Sequence, residues 1–125
     1  MIAFNAESVR TPPGYSHAVR AAGLLFVAGQ VPLNEAGEVV GADMESQAHQ
    51  VFKNLATVLA AGGVTFDAVV KLNYFVTDIS QVVAVRSVRD RFINTDNPPA
   101  STLVEVSRLF LPGILIEVEA VAEAR

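Results

Sequence analysis

The sequence predicts an α+β domain: a mixed sheet with two amphipathic helices on one face. Three observations predict it. Apolar residues recur at intervals of three and four from Met44 to Leu59, they alternate from Val69 to Val76, and β-compatible runs bounded by turn residues stand towards both ends of the chain. In order, the elements read strand, strand, helix, strand, helix, strand, strand.

Ala18 to Arg20 and Leu24 to Val31 flank Ala22 and Gly23, which reads as a hairpin with a short turn. Turn residues from Asn34 to Gly37 and at Gly41 lead to Asp43, an N-cap residue, with Glu45 favourably placed in the first turn of a helix. In that helix Ala48, Val51, Phe52, Leu55, Val58 and Leu59 form the apolar stripe. His49, Gln50, Lys53 and Asn54 fall on the other side, and Gly62 and Gly63 end the helix. Val69 to Val76 sets Val70, Leu72, Tyr74 and Val76 against Lys71, Asn73 and Phe75, as a strand with one buried face does. Ser80 is read as the cap of a second helix through Phe92, with Val82, Val85, Val88 and Phe92 on one stripe. An extended loop covers Asn94 to Pro99, and Thr102 to Val106 and Ile114 to Val121 are two further strands joined around Pro112 and Gly113. Two such helices cover one face of the sheet and leave an apolar face that association with other copies would bury.

Composition narrows the function. At 125 residues, with 51% hydrophobic residues, the chain suits one domain over residues 1–125, and that hydrophobic share points to surface buried between subunits. Net charge −4 and nine scattered Lys and Arg argue against binding a nucleic-acid backbone. Cysteine is absent, which removes disulfides, thiol nucleophiles and thiolate metal ligands together. No leader segment or membrane span is indicated, so a cytoplasmic protein without a membrane partner is expected. His17 and His49 lack metal-ligand spacing and read as structural or solvent-facing. No phosphate loop, paired metal carboxylates or Ser/His/Asp order is seen, so neither metal nor cofactor is expected.

Glu117 is the best acid/base residue. It lies among Ile114, Leu115, Ile116, Val118 and Val121, where desolvation raises a carboxyl pKa towards values useful for proton transfer. Glu119 shares its face by the two-residue period, so the pair equally reads as carboxylates lining a wet cleft or pairing with Arg. Tyr15 reads as a ligand contact or as simple packing.

Four segments carry a resemblance: Tyr15, Ser16, His17, Ala18; Phe26 to Gln30; Asn97 to Val106; and Ile116 to Ala120. Across nearly its whole length the chain resembles the RidA (YjgF-type) family of 2-imino and 2-enamino acid deaminases. The resemblance implies a chorismate-mutase-like fold and a homotrimer with three intersubunit clefts. Active members carry Pro-Ala-Arg-Ser, whose arginine grips the substrate carboxylate, whereas Ala100 is followed here by Ser101 and Thr102. Ser101 thus stands at the arginine position, with one neutral hydroxyl for a bidentate charged fork. By the same resemblance Glu117 positions or activates water, Tyr15 borders the cleft, and the Gly29 backbone approaches the ligand while Gln30 fixes the adjoining loop. Two more departures are Ala28, where relatives commonly have Ser, and Arg86, where they commonly have Asn.

The leading reading is a trimer of an arginine-lacking subgroup that binds a small, carboxylated metabolite at Tyr15, Ala28, Gly29, Arg86, Ser101 and Thr102. Efficient 2-imino acid turnover is not expected of it. The alternative is a cofactor-independent enamine/imine deaminase, a C–N hydrolase acting on reactive metabolites, in which Arg86 or Arg108 supplies the cation and Glu117 handles the proton. A third reading, a non-catalytic interaction protein, also holds the endoribonuclease and translation-inhibitor labels of such proteins, and the acidic balance disfavours it.

Overall fold

In the computed structural model, which describes residues 1–125, the chain opens with a short strand that the sequence pattern does not signal, β1 (Ile2–Phe4). It pairs antiparallel with β2 (Ala18–Ala21), which returns as β3 (Leu24–Gln30). The turn between them is the expected one: Ala22 (φ 54°) and Gly23 (φ 75°) both take positive φ, the conformation whose twist suits a two-residue hairpin.

Helix α1 (Met44–Ala61) starts where expected, with the Asp43 side chain accepting from the Ser46 N–H at 2.9 Å. It ends as its glycines dictate. Gly63 takes φ 81°, and Val64 N–H donates to Leu59 O while Gly63 N–H donates to Ala60 O, which closes the last turn. Strand β4 (Val69–Val76) follows with the expected bounds. Its alternation breaks at the start, where a register shift buries Val69 and exposes Val70.

Helix α2 (Val82–Arg89) is shorter than predicted. A 3₁₀ turn over Ile79–Gln81 precedes it, and the cap of that turn is Asp78, not Ser80: its carboxylate accepts from both the Ser80 N–H and hydroxyl. Phe92 lies in the turn beyond the helix yet still packs on Phe52, with ring centroids 5.4 Å apart. Instead of a purely extended loop, a turn is closed by Asn97 N–H donating to Asn94 O. Strand β5 spans Ala100–Glu105 and β6 spans Ile116–Glu123, both displaced by two residues from their predicted starts.

The six strands form one sheet in the order β1-β2-β3-β6-β4-β5, antiparallel throughout except for the parallel pair β4/β5. Two crossovers, β3–α1–β4 and β4–α2–β5, lay both helices on one face. Leu25, Val27, Leu72, Tyr74, Val76, Ile116 and Val118 meet Val51, Phe52, Leu55, Val58 and Val85 there, and this is the core.

The helix-free face is mixed rather than apolar. Alternation along β6 puts Glu117 and Glu119 on it, beside Asn73, Lys71 and Thr102, while Phe26, Phe75, Val104 and Val121 supply its apolar part. Phe26 is 45% exposed and Val104 41%, unusual for large apolar residues in a sheet. A second departure is Asn54, expected on the polar side of α1 but buried. Its amide donates to Val31 O at 3.1 Å and Leu33 O at 3.0 Å, because the segment after β3 crosses the helix with carbonyls that need donors.

Candidate functional site

β3 loses its regular pairing with β6 between Val27 and Gln30. At that irregularity Gly29 lies beneath Glu117: a Cβ at position 29 would stand 2.8 Å from the Glu117 carboxyl carbon and overlap Oε2. Only glycine lets the carboxyl group fold down on the backbone here. Gln30, buried, donates to Ala28 O at 3.1 Å and stiffens the segment. Burial, and secondarily the Glu119 carboxylate, push the Glu117 pKa above the ordinary carboxyl value. Glu119 itself accepts from Asn73 Nδ2 at 3.2 Å.

In front of Glu117 opens a cleft of about 360 Å³ walled by Arg10, Pro13, Tyr15, Ala28, Val31 and Phe110 together with Gly29. The predicted Tyr15, Ala28, Gly29 and Glu117 therefore come together. Such a wall, apolar with one proton-affine carboxyl and a phenol, suits a small ligand whose reacting atom exchanges a proton with Glu117.

Arg10 was missed by the sequence reading, although it is the sole basic residue before Arg20 and stands five residues from Tyr15. Its guanidinium donates to Tyr15 Oη at 3.3 Å and lies over the Phe110 ring, 5.5 Å from the centroid. The backbone beneath it is held by His17, whose buried ring uses both nitrogens. Nδ1 accepts from Ala6 N–H at 2.9 Å, which assigns the proton to Nε2, and Nε2–H donates to Arg10 O at 2.7 Å. His17 is thus structural, and His49 is exposed on α1.

Ser101 and Arg86 lie elsewhere in the chain. They share a second cleft, of about 350 Å³, with Tyr74, Val82, Arg89 and Leu103. It adjoins another of about 370 Å³ that Ser101, Tyr74 and Arg89 also line. Arg89, one turn after Arg86, was the second cleft-lining cation missed. It pairs with Asp90 at 2.9 Å. Thr102 points to the opposite face of β5 and accepts from Lys71 Nζ at 2.7 Å. Arg108 lines a neighbouring surface groove with Thr77 and Leu111, which shares Phe110 with the Glu117 cleft but not Glu117 itself.

An α+β domain with a small-ligand cleft of this kind has close relatives. The profile of the family described as Endoribonuclease L-PSP matches residues 6–124. A RutC family protein of Pyrococcus horikoshii is 36% identical over 118 residues, which cover 93% of this chain and 92% of that protein. The crystal structure of the YjgF gene product from E. coli superposes with a TM-score of 0.90 at 31% identity, covering 100% of both chains. That of E. coli TdcF with bound serine superposes with a TM-score of 0.87 at 25% identity, covering 100% of this chain and 99% of that one. The chain belongs to the Endoribonuclease L-PSP family, that of the RutC and YjgF proteins, in agreement with the RidA-type resemblance. No helix is long and apolar enough to cross a membrane.

Proposed function

We propose that the chain is a cytoplasmic, homotrimeric small-molecule-binding protein of a subgroup lacking the family's carboxylate-gripping arginine. Its ligand clefts lie between subunits, and it has no efficient 2-imino acid deaminase activity. One observation carries this reading: Glu117 keeps a formed cleft with Tyr15 and Gly29, while the neutral Ser101 stands where the resemblance leads one to expect the arginine. Hydrogen bonds to charged groups contribute roughly 1.5–3 kcal/mol, so loss of a bidentate clamp weakens capture of a carboxylate by about tenfold to several-hundredfold. The trimer is supported by the exposed Phe26 and Val104 on the helix-free face, which association covers. Within one chain the Ser101 and Glu117 clefts share no residue, so the proposed assembly is the arrangement that would bring them together. Serine bound to the E. coli relative supports a ligand of amino-acid size bearing a carboxylate.

The test is hydrolysis of imines produced from an amino acid by an oxidase, followed by semicarbazide trapping. Rates little above those without protein are expected. Acceleration equal to that of an arginine-bearing relative would overturn the reading in favour of an enamine/imine deaminase, the second reading, which the raised proton affinity of Glu117 favours.

A further inference from the structure

We propose that Arg10 is the anion anchor of the Glu117 cleft, so that the ligand is a small aliphatic carboxylate whose charged end meets the N-terminal loop. This rests on reading that cleft as the ligand site.

Arg10 stands out first by what it does not do. The ion pairs of the chain are Arg89–Asp90, Arg91–Glu45 and Arg125–Glu123, so the Arg10 guanidinium pairs with no carboxylate although Glu117 lines the same cleft. Arg10 is partly buried as a residue while its guanidinium has no counter-ion, so its charged donors remain open to an incoming carboxylate.

Its position is held from three sides. The stem runs past Gly37, where a Cβ would stand 3.4 Å from Arg10 Cδ, the guanidinium lies over Phe110, and the backbone carbonyl accepts from the buried His17 ring. Little side-chain freedom is left to lose on binding, which favours a specific contact over a solvated surface charge. Tyr15 accepts one guanidinium N–H, leaving donors of the planar fork for a ligand. Pro13, Ala28, Val31 and Phe110 give the open cleft of about 360 Å³ an apolar side, which suits a short hydrocarbon chain. Arg86 and Arg89 do not serve this role within the chain, since both line the Ser101 cleft.

The test uses the full chain, with isovalerate and its neutral isostere isovaleramide as probes and the amide resonances of Tyr15, Gly29 and Phe110 as reporters. Isovalerate is expected to bind the wild type about tenfold or more tightly than isovaleramide, with the preference shrinking as salt is raised. Arg10→Gln keeps an apolar stem against Phe110 and removes the charge, and it should abolish the preference while leaving isovaleramide binding unchanged. Arg10→Lys should retain part of it, and Arg91→Ala, which removes a surface cation paired with Glu45, should change nothing. If Arg10→Gln or Arg10→Ala binds isovalerate as tightly as the wild type, with Tyr15 and Gly29 still responding, the anchor is elsewhere; the proposal falls and the ligand-site reading survives. If the folded wild type binds isovaleramide at these reporters as well as isovalerate, the proposal falls in the same way. If neither probe moves them, the ligand-site reading fails and takes the anchor with it.

Discussion

Gly29 and Glu117 occupy each other's space: the place a Cβ would take at position 29 holds the Glu117 carboxyl group, whose Cδ lies 2.8 Å from it and whose Oε2 it would overlap. The relationship ties a backbone irregularity in β3 to the proton affinity of a side chain in β6.

Gly29→Ala should therefore act on the carboxyl and spare the fold. Gly29 is not in the left-handed region, so the methyl brings no backbone strain there, and the group it displaces is the end of a flexible side chain. Unfolding free energy should change by less than about 1 kcal/mol. Pushed outwards into water, Glu117 should lose part of its desolvation and titrate closer to the ordinary value, which carboxyl carbon NMR measures directly. An unchanged titration would mean that its environment does not depend on this contact.

Glu117 also sets a sign for the pH dependence of stability. Its pKa is raised above the ordinary glutamate value of 4.5 in the folded state, by burial first and by Glu119 second. The folded chain then binds more protons than the unfolded one between that value and the folded pKa, so this contribution is fully present below about 4.5 and lost as pH rises through the folded pKa. Glu117→Gln removes the loss. The variant should gain stability relative to the wild type at neutral pH, and the difference should shrink as pH falls below the unfolded value. Urea titrations at about pH 4 and pH 8, on either side of that window, check it, and a variant less stable at the higher pH would contradict the sign.

Much of the frame was legible because period and turn chemistry are local. Asp43, Gly62 and Gly63 mark α1, alternation marks β4, and Ala22–Gly23 marks the hairpin. What failed was set by partners distant in sequence. β1 exists as three residues paired to β2, with Ile2 opposite Arg20, and has no pattern of its own. Asn54 looks solvent-facing by helical period until the segment from Val31 to Leu33 crosses it. Of the candidate site, Tyr15, Gly29 and Glu117 were legible through the motifs that carry the resemblance, and Ala28 as a departure within one of them, whereas Arg10 lies in no motif. It reaches the cleft because His17 holds the loop, which neither residue signals in sequence.

Asn54 and Gln47 should prove costly to replace. Gln47 donates to Gly41 O and Gly113 O and accepts from Leu115 N–H, so these two buried amides tie the β3–α1 and β5–β6 connections to α1. Asn54→Leu leaves the Leu33 carbonyl without its donor and takes one of two from the Val31 carbonyl, which keeps the Leu33 N–H, at a cost of about 1–3 kcal/mol. Gln47→Leu should cost a similar amount. Denaturant midpoints at constant slope measure both, and a loss under about 1 kcal/mol would imply that water replaces the amide. Val31 is a wall of the Glu117 cleft, so Asn54→Leu should also weaken ligand binding there.

Tyr74→Phe should behave in the opposite way. The Tyr74 hydroxyl is buried without a hydrogen-bond partner, and burial pushes its pKa well above the ordinary tyrosine value. Removing an unsatisfied polar group from the core should leave stability unchanged or raise it by up to about 1 kcal/mol. Thermal unfolding of the variant decides, and a clear loss would point to a partner that the hydroxyl acquires in solution or in the assembly.

Ser101→Arg examines whether the cleft remains usable by the chemistry of arginine-bearing relatives. The site tolerates a long side chain, since Ser101 is exposed on β5, but Arg86 and Arg89 line the same cleft and add like charge. Light scattering should first show wild type and variant as trimers, because within one chain Ser101 and Glu117 line different clefts and the proposed assembly is what would bring the restored cation to Glu117. In the trimer the variant should bind a carboxylate more tightly, within the bound of roughly 1.5–3 kcal/mol per charged hydrogen bond, and imine hydrolysis should rise measurably. Glu117→Gln in the same background should abolish that hydrolysis while retaining the tighter binding, because the anchor holds the carboxylate and Glu117 moves the proton. Should Ser101→Arg form the trimer yet show neither gain, the departures at Ala28 and Arg86 have adapted the cleft to another ligand. The deaminase reading is then excluded.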